Sequence, residues 1–207
     1  MPNTITPAYD NKIYQKYSKK MIQNKEKNKI AFCQDFGLPY DKKIPLLCIT
    51  YPLTEKNNIS IIQDVMNGIL EQPVQIVLTA IGTQKYQDYF TKLAEKNPKQ
   101  VIIIPDGDEN KRKIYAASNM ILIPEDSTEC IKEAKIAMQY GVIPIISDQD
   151  FVTNYDPIQE EGNAFVYSNG SPWSFFATVI RAMENFKFPY DWKNIAVSAM
   201  EEEEEEE

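Results

Sequence analysis

The sequence predicts an α/β fold, a Rossmann-like doubly wound parallel sheet with helices on both faces. Short, nearly continuous apolar runs recur along the chain and are rich in Ile and Val, which is typical of strands buried on both faces. Segments with apolar residues at three- and four-residue steps separate these runs, as in amphipathic helices. Because a helix that joins two parallel strands crosses over with a right-handed sense, this alternation leads to a doubly wound sheet.

The apolar runs predict the strands, and the periodic segments predict the helices. Strands are predicted at residues 46–51, 74–79, 101–104, 120–123 and 142–146, with a further short one at 164–167. Helices are predicted at residues 13–36, 59–71, 84–95, 109–117, 129–140 and 172–186, with a shorter one near 192–200. Gly37 and Pro39 are expected to end the first helix.

Length and composition predict one domain over residues 1–200, in which 1–40 form a lead-in and first helix. A chain of 207 residues that is 43% hydrophobic can bury one sizeable core. Residues 201–207 are all glutamate and are expected to form an acidic tail. No apolar run reaches the roughly 18 residues of a membrane span, and the start lacks a signal-peptide pattern. We therefore expect a soluble, cytoplasmic protein that binds no membrane.

The charge of the body argues against nucleic-acid binding. The tail supplies seven of the 30 acidic residues, so residues 1–200 carry 22 basic and 23 acidic side chains. A nucleic-acid surface needs a clustered excess of Lys and Arg. The one local basic cluster, residues 16–29, is interpreted as a solvated helix face. Cys33, Cys48 and Cys130 are interpreted as buried structural thiols, since they are too few and too scattered for a disulfide framework.

The chemistry available to a catalytic site is limited. Histidine is absent, which removes the usual general base, and no two of the seven glycines have dinucleotide or P-loop spacing. We expect neither a metal nor a cofactor. Carboxylates do follow two predicted strands, at residues 106, 108 and 109 and at 125, 126 and 129. They suit acid–base or metal chemistry, or else helix capping, and capping is the interpretation favoured for Asp126, Ser127 and Thr128.

Five blocks in order resemble a known family. They are KNKIAFCQDFGLPYDKKIPLLCITYPLTEKN, IVLTAIGTQKYQDYF, KIYAASNMILIPEDSTEC, MQYGVIPII and NAFVYSNGSPWSFFATVIRAMENF. Together they are similar to the C-terminal, nucleotide-sugar-binding domain of glycogen and starch synthases, two-domain glucosyltransferases of the GT-B fold. The resemblance implies a GT-B C-terminal domain. It also implies that the acceptor-binding N-terminal domain and a final crossing helix would lie outside these residues.

The residues that the family uses on its donor do not match here. The arginine that would hold the donor diphosphate corresponds to Pro52, and the lysine that follows it corresponds to Asn57, with Lys56 as its neighbour. The glutamate of the Glu-Pro-Cys-Gly motif corresponds to Thr128, and placing Glu129 there would require an insertion and a deletion.

Two glycine positions of the family are also occupied by larger residues. The glycine of Glu-Pro-Cys-Gly corresponds to Ile131, whose side chain would obstruct a close backbone contact. The Gly-Gly pair after the next strand corresponds to Asp150 and Phe151. A carboxylate at that place would repel a diphosphate.

Three hypotheses follow. The first is a degenerate glucosyltransferase domain with no catalytic residue, which serves a structural or protein-binding role in a larger assembly. The second is the ADP- or UDP-glucose-binding half of an active α-1,4-glucan glucosyltransferase, whose N-terminal domain lies elsewhere. Residual nucleotide-sugar-binding candidates are Lys56, Gly82, Asp108, Arg112, Tyr115, Thr128 and Glu129.

The third hypothesis is weak glucan binding by aromatic stacking. The candidate side chains are Tyr86, Tyr89, Trp173 and Trp192. Ordinary packing in the core and between helices is the alternative for these four residues.

Overall fold

The computed structural model describes residues 6–168 and 170–200, so the predicted acidic tail and the first five residues of the lead-in lie outside the described residues. The strands are β1 (Leu46–Ile49), β2 (Gln75–Thr79), β3 (Val101–Ile104), β4 (Met120–Leu122), β5 (Ile143–Ile146) and β6 (Phe165–Val166). The α-helices are α1 (Lys25–Phe36), α2 (Ile59–Leu70), α3 (Gln84–Lys96), α4 (Asp108–Ala117), α5 (Thr128–Gln139), α6 (Pro172–Phe186) and α7 (Pro189–Ala199).

All six strands form one parallel sheet in the order β3-β2-β1-β4-β5-β6. This topology confirms the predicted doubly wound α/β fold. The strand order reverses between β1 and β4, and ligands of such folds bind in the crevice outside the carboxyl ends of the strands at that point. No helix in the described ranges is long and apolar enough to cross a lipid bilayer.

Burial explains why these apolar runs become strands. Every residue of β1, β2, β4 and β5 is buried, which requires helices over both faces of the sheet. Helix α2 packs against α6, and α1 packs against α4. The three cysteines are buried and free, as predicted, and burial raises the pKa of the Cys48 thiol to about 12.

The first helix begins later than the sequence predicts. A 3-10 segment covers Lys19–Asn24, and the α-helix begins only at Lys25. The lead-in before it is irregular because side chains, rather than helical hydrogen bonds, satisfy its backbone. The Asn28 side chain accepts from the Gln15 N–H at 3.0 Å and donates to the Gln15 carbonyl at 2.8 Å. Gly37, at φ 73°, ends the helix as expected.

The last helix begins earlier than predicted. Residues near 192–200 were expected to form it, and it begins at Pro189. Proline at the first helical position lacks only an N–H that would have no helical partner there, so it starts the helix favourably.

The interpretation of the basic cluster as a solvated face is wrong for two of its lysines. Lys25 is 8% exposed and Lys29 is 1% exposed. The Lys25 ammonium donates to the carbonyls of Tyr115 at 2.6 Å, Ala116 at 3.2 Å and Tyr140 at 2.9 Å. These carbonyls lie at the C-terminal ends of α4 and α5, where helices leave acceptors without partners and where positive charge is favourable. Burial lowers the pKa of Lys25 to about 7.

We expect Lys25→Met to lower the free energy of unfolding by about 2–4 kcal/mol, because the buried carbonyls of Tyr115 and Ala116 lose their side-chain donor. Urea denaturation followed by circular dichroism measures this change. Lys27→Met on the same helix is the matched control, since Lys27 is exposed and its loss should change stability by less than about 0.5 kcal/mol. Equal stability of the two variants would show that the carbonyls do not depend on Lys25.

Candidate functional site

The loops at the carboxyl edge of the sheet define the candidate site. Residues 50–58 connect β1 to α2 and residues 123–127 connect β4 to α5, so these two loops flank the crevice between β1 and β4. A nucleotide diphosphate in a fold of this kind would lie between them, against the N-terminus of a helix.

Asn57 joins the two loops across this crevice. The Thr54 side chain accepts from the Asn57 N–H at 3.3 Å and caps a short 3-10 turn at Glu55–Asn57. The Asn57 side chain, 2% exposed, donates to the Pro52 carbonyl at 2.7 Å and accepts from the Ser127 hydroxyl at 2.7 Å. A neutral amide therefore fixes the loop after β1 to the start of α5.

The start of α5 is capped by its own residues. Ser127 is the N-cap residue, and its hydroxyl accepts from the Cys130 N–H at 3.2 Å, which confirms the capping interpretation for Ser127. Thr128 is the first residue of the helix and is exposed. The Glu129 carboxylate adds negative charge to the first turn, where it interacts favourably with the helix dipole.

Two candidate residues, Lys56 and Glu129, come together at this helix end. The Lys56 ammonium lies 3.0 Å from both carboxylate oxygens of Glu129. The hydrogen bond from Lys56 lowers the pKa of Glu129. Both side chains remain largely exposed, at 67% and 45%, so this pair contributes little to stability.

Gly82 is required by a close approach of two backbones. Leu53 donates to the Ile81 carbonyl and Thr83 donates to the Leu53 carbonyl, each at 2.9 Å, so the loops after β1 and β2 lie in contact. A Cβ atom at Gly82, where φ is 135°, would lie 2.3 Å from the Leu53 oxygen. The neighbouring loop therefore accounts for the glycine without any ligand.

Arg112 and Asp108 interact with each other and with the lead-in. Their charged groups lie 2.9 Å apart on α4, and Arg112 also lies 3.4 Å from Asp10. Asp10 is buried and accepts a hydrogen bond from the Tyr140 hydroxyl at 2.6 Å. The Arg112 guanidinium is thus already paired with two carboxylates of the protein itself.

Tyr115 belongs to the core. It is 2% exposed, and its hydroxyl hydrogen-bonds to Thr50, at 3.1 Å, and to the Glu133 carboxylate. Glu133 in turn lies 2.7 Å from the Lys111 ammonium. Burial, followed by the charge of Glu133, raises the pKa of Tyr115 well above its usual range.

The loops at the carboxyl edge are strongly acidic. Residues 50–58, 80–83, 105–107, 123–127 and 147–150 contain one lysine, Lys56, no arginine and six carboxylates: Glu55, Asp106, Glu125, Asp126, Asp148 and Asp150. Two of these carboxylates, Asp148 and Asp150, follow β5 directly, and both are exposed. The described residues include no group of three or more side chains that could hold a metal ion.

The aromatic residues of the glucan hypothesis are mostly unavailable for stacking. Tyr86 and Trp192 are buried, at 0% and 8% exposure, and Tyr89 packs against the core with its ring edge-to-face on Phe90. Trp173 alone among the four is mostly exposed, at 78%. The packing alternative therefore holds for Tyr86, Tyr89 and Trp192.

Sequence reasoning missed the role of Asn57. It identified the position as a lost lysine, but the hydrogen bond to Ser127 joins residues 70 positions apart. The sequence did contain a signal: a serine N-cap follows β4 and an asparagine follows β1. These are the two strands between which the strand order reverses.

We expect a double-mutant cycle of Asn57→Ala and Ser127→Ala to give a coupling energy of about 1 kcal/mol, because each single change removes the same hydrogen bond. Chemical denaturation of the wild-type protein, the two single variants and the double variant gives the four free energies of unfolding that the cycle compares. A cycle of Asn57→Ala with Ser60→Ala, in which no direct bond joins the two residues, is the control and should be additive. Additivity in both cycles would mean that the Asn57–Ser127 contact does not stabilise the crevice.

Comparison with known proteins identifies relatives over nearly the whole chain. The glycogen synthase of Clostridium kluyveri is 31% identical over 200 residues, which cover 94% of this chain and 42% of that protein. The glycogen synthase of Caldicellulosiruptor bescii is 32% identical over 200 residues, with the same coverage. This chain thus spans about two fifths of the length of the curated relatives it matches. No protein-family model matches it.

Solved structures agree with this relationship. The catalytic domain of starch synthase IV from Arabidopsis thaliana, bound to ADP and acarbose, superposes with a TM-score of 0.80 and 25% identity over 95% of this chain and 42% of that one. Anabaena HepE, in complex with UDP and glucose, shares the fold, with a TM-score of 0.62 and 13% identity over 84% of this chain and 46% of its own. By sequence and fold, this chain is thus similar to the C-terminal domain of glycogen and starch synthases.

Proposed function

We propose that this domain no longer binds a nucleotide-sugar donor and serves a non-catalytic, structural or protein-binding role in a larger assembly. The observation that supports the proposal best is the hydrogen bond between Asn57 and Ser127 across the crevice. By the sequence resemblance Asn57 corresponds to the family's lysine, yet its side chain is buried and hydrogen-bonded to Pro52 and Ser127. The protein's own polar groups thus occupy the place where a phosphate would need a cation.

The charge of the edge supports the same proposal. A diphosphate carries at least two negative charges and would approach an edge with six loop carboxylates and one lysine, which already faces Glu129. Like charges at short range raise the free energy of binding, and no metal-ligand cluster in the described residues offsets them. Ile131, in the first turns of α5, corresponds by the sequence resemblance to a glycine of the family.

The protein-binding part of the proposal draws on exposed apolar side chains. Ile158, Trp173 and Tyr190 are 91%, 78% and 69% exposed. Large aromatic side chains at a surface are enriched in protein interfaces.

A second candidate function is donor binding in partnership with a separate N-terminal domain. Two observations favour it: the similar starch synthase domain was solved with ADP bound, and Lys56 is exposed enough to turn from Glu129 to a phosphate. Under this alternative Lys56 and the N-terminus of α5 would hold the donor phosphates.

A thermal-shift titration with ADP, UDP, ADP-glucose and UDP-glucose separates the two functions. A ligand that binds the folded state at one hundred times its Kd adds about 2.7 kcal/mol of stability. For a domain of this size that is a rise in Tm of roughly 5–10 °C. We expect no shift up to millimolar ligand. A shift of several degrees with any of the four would overturn the non-catalytic proposal.

The Asn57→Lys/Thr128→Glu variant is the matched control. It restores the family's residue type at both positions, so a shift with ADP-glucose or UDP-glucose in the variant alone would show that these two positions caused the loss. The variant's own unfolding without ligand must be recorded as well, because Asn57→Lys also removes two hydrogen bonds.

A further inference from the structure

A large cleft lies at the opposite edge of the sheet from the candidate site. Its volume is about 960 Å³, within the range of small-molecule pockets. Ile44, Asn119 and Gly141, which line it, lie just before β1, β4 and β5. The cleft is therefore at the amino edge, separate from the crevice at the carboxyl ends of the strands.

One part of the cleft wall is apolar and aromatic. Ile22, Phe186, Trp192 and Ala196 contribute to it, and Trp192 packs edge-to-face on Phe186 with ring centroids 5.2 Å apart. Helices α6 and α7 supply the last three of these residues, so their packing sets the shape of the wall. This surface can bury an alkyl or aryl group.

The rest of the lining is basic. Six lysines line the cleft, Lys25, Lys29, Lys42, Lys43, Lys187 and Lys193, against two carboxylates, Glu26 and Asp41. Within the described parts of the chain, the ammonium groups of Lys42, Lys43 and Lys193 form no hydrogen bond or ion pair. The positive charge of the rim is therefore not neutralised locally.

Lys29 places a buried cation at the floor. Its side chain is 1% exposed, and its ammonium donates a hydrogen bond to the Ile44 carbonyl at 2.5 Å and lies 5.4 Å from the Phe186 ring centroid. An ammonium has three N–H donors, and a buried charge is costly unless it is paired. No carboxylate in the described residues forms an ion pair with it.

We propose that this cleft binds a small amphipathic anion, with an alkyl or aryl body against Phe186 and the small exposed part of Trp192, and a carboxylate or phosphate head among the lysines. The apolar body would gain from burial, roughly 25 cal/mol per Å² of apolar surface. The anionic head would pair with charges that the protein leaves unpaired and would accept charge-assisted hydrogen bonds.

Tryptophan fluorescence provides the test. The protein has two tryptophans, so the exposed Trp173 is replaced in a Trp173→Phe variant and Trp192 becomes the sole reporter. This full-length variant is titrated with octanoate, octyl phosphate, 1-octanol and inorganic phosphate. We expect a saturable change in Trp192 emission with octanoate or octyl phosphate, and binding of 1-octanol and of phosphate at least about tenfold weaker, equivalent to ~1.4 kcal/mol. Comparison of octanoate with octyl phosphate identifies the preferred head group.

Charge variants locate the site. In the same background, Lys42→Ala/Lys43→Ala/Lys193→Ala should weaken octanoate and octyl phosphate binding by about tenfold or more, since three nearby cations are removed. The matched control is Lys92→Ala/Lys96→Ala/Lys132→Ala, three exposed lysines outside the cleft lining, which should leave binding unchanged. All six positions are exposed, so both variants are expected to fold, and circular dichroism verifies this.

Four results would overturn the proposal. One is the absence of a saturable signal with either octyl anion. Another is binding of 1-octanol as tight as that of the octyl anions, which would show that the charge does not contribute. Equally tight binding of inorganic phosphate would show that the apolar body does not contribute. The last is equal weakening in the two triple variants, which would indicate attraction by overall charge alone.

Discussion

The contact of one buried ammonium with three carbonyls holds the amino edge of this domain together. Helices α4 and α5 both end there, and their last carbonyls have no helical partners. Lys25 reaches Tyr115, Ala116 and Tyr140 from a third helix, so α1 fixes how the other two end. Strands β4 and β5 begin within a few residues of these ends, so the contact lies where both strands enter the sheet.

The carboxyl edge is organised by a different kind of contact. There a neutral amide, Asn57, joins two loops, and exposed charges such as Lys56 and Glu129 pair above it. These interactions satisfy the loop backbones and the start of α5 without any bound molecule. Relatives of the same fold have been solved with ADP or UDP. This chain shares the fold of those structures, and its own loop side chains contact one another at the place where a ligand of such a fold would lie.

Much of the fold could be predicted, because buried parallel strands and amphipathic helices leave local patterns. The Ser127 cap could be predicted as well, since capping depends on neighbours in sequence. The burial of Lys25 and Lys29 could not, because it depends on helix ends about 90 and 115 residues away for Lys25 and on the approach of Ile44 for Lys29. The late start of α1 has the same origin, since Asn28 holds the lead-in as an irregular segment.

The carboxylates at the starts of the helices have a consequence for how stability and ligand binding relate. Asp108, Glu109 and Glu129 lie in the first turns of α4 and α5, where each compensates the positive end of a helix dipole. In a phosphate-binding domain that end is kept open for the ligand, so the free protein bears the uncompensated dipole. This domain supplies the negative charge itself and is stabilised in the absence of any ligand. Selection for a durable scaffold would favour such substitutions, whereas selection for donor turnover would oppose them.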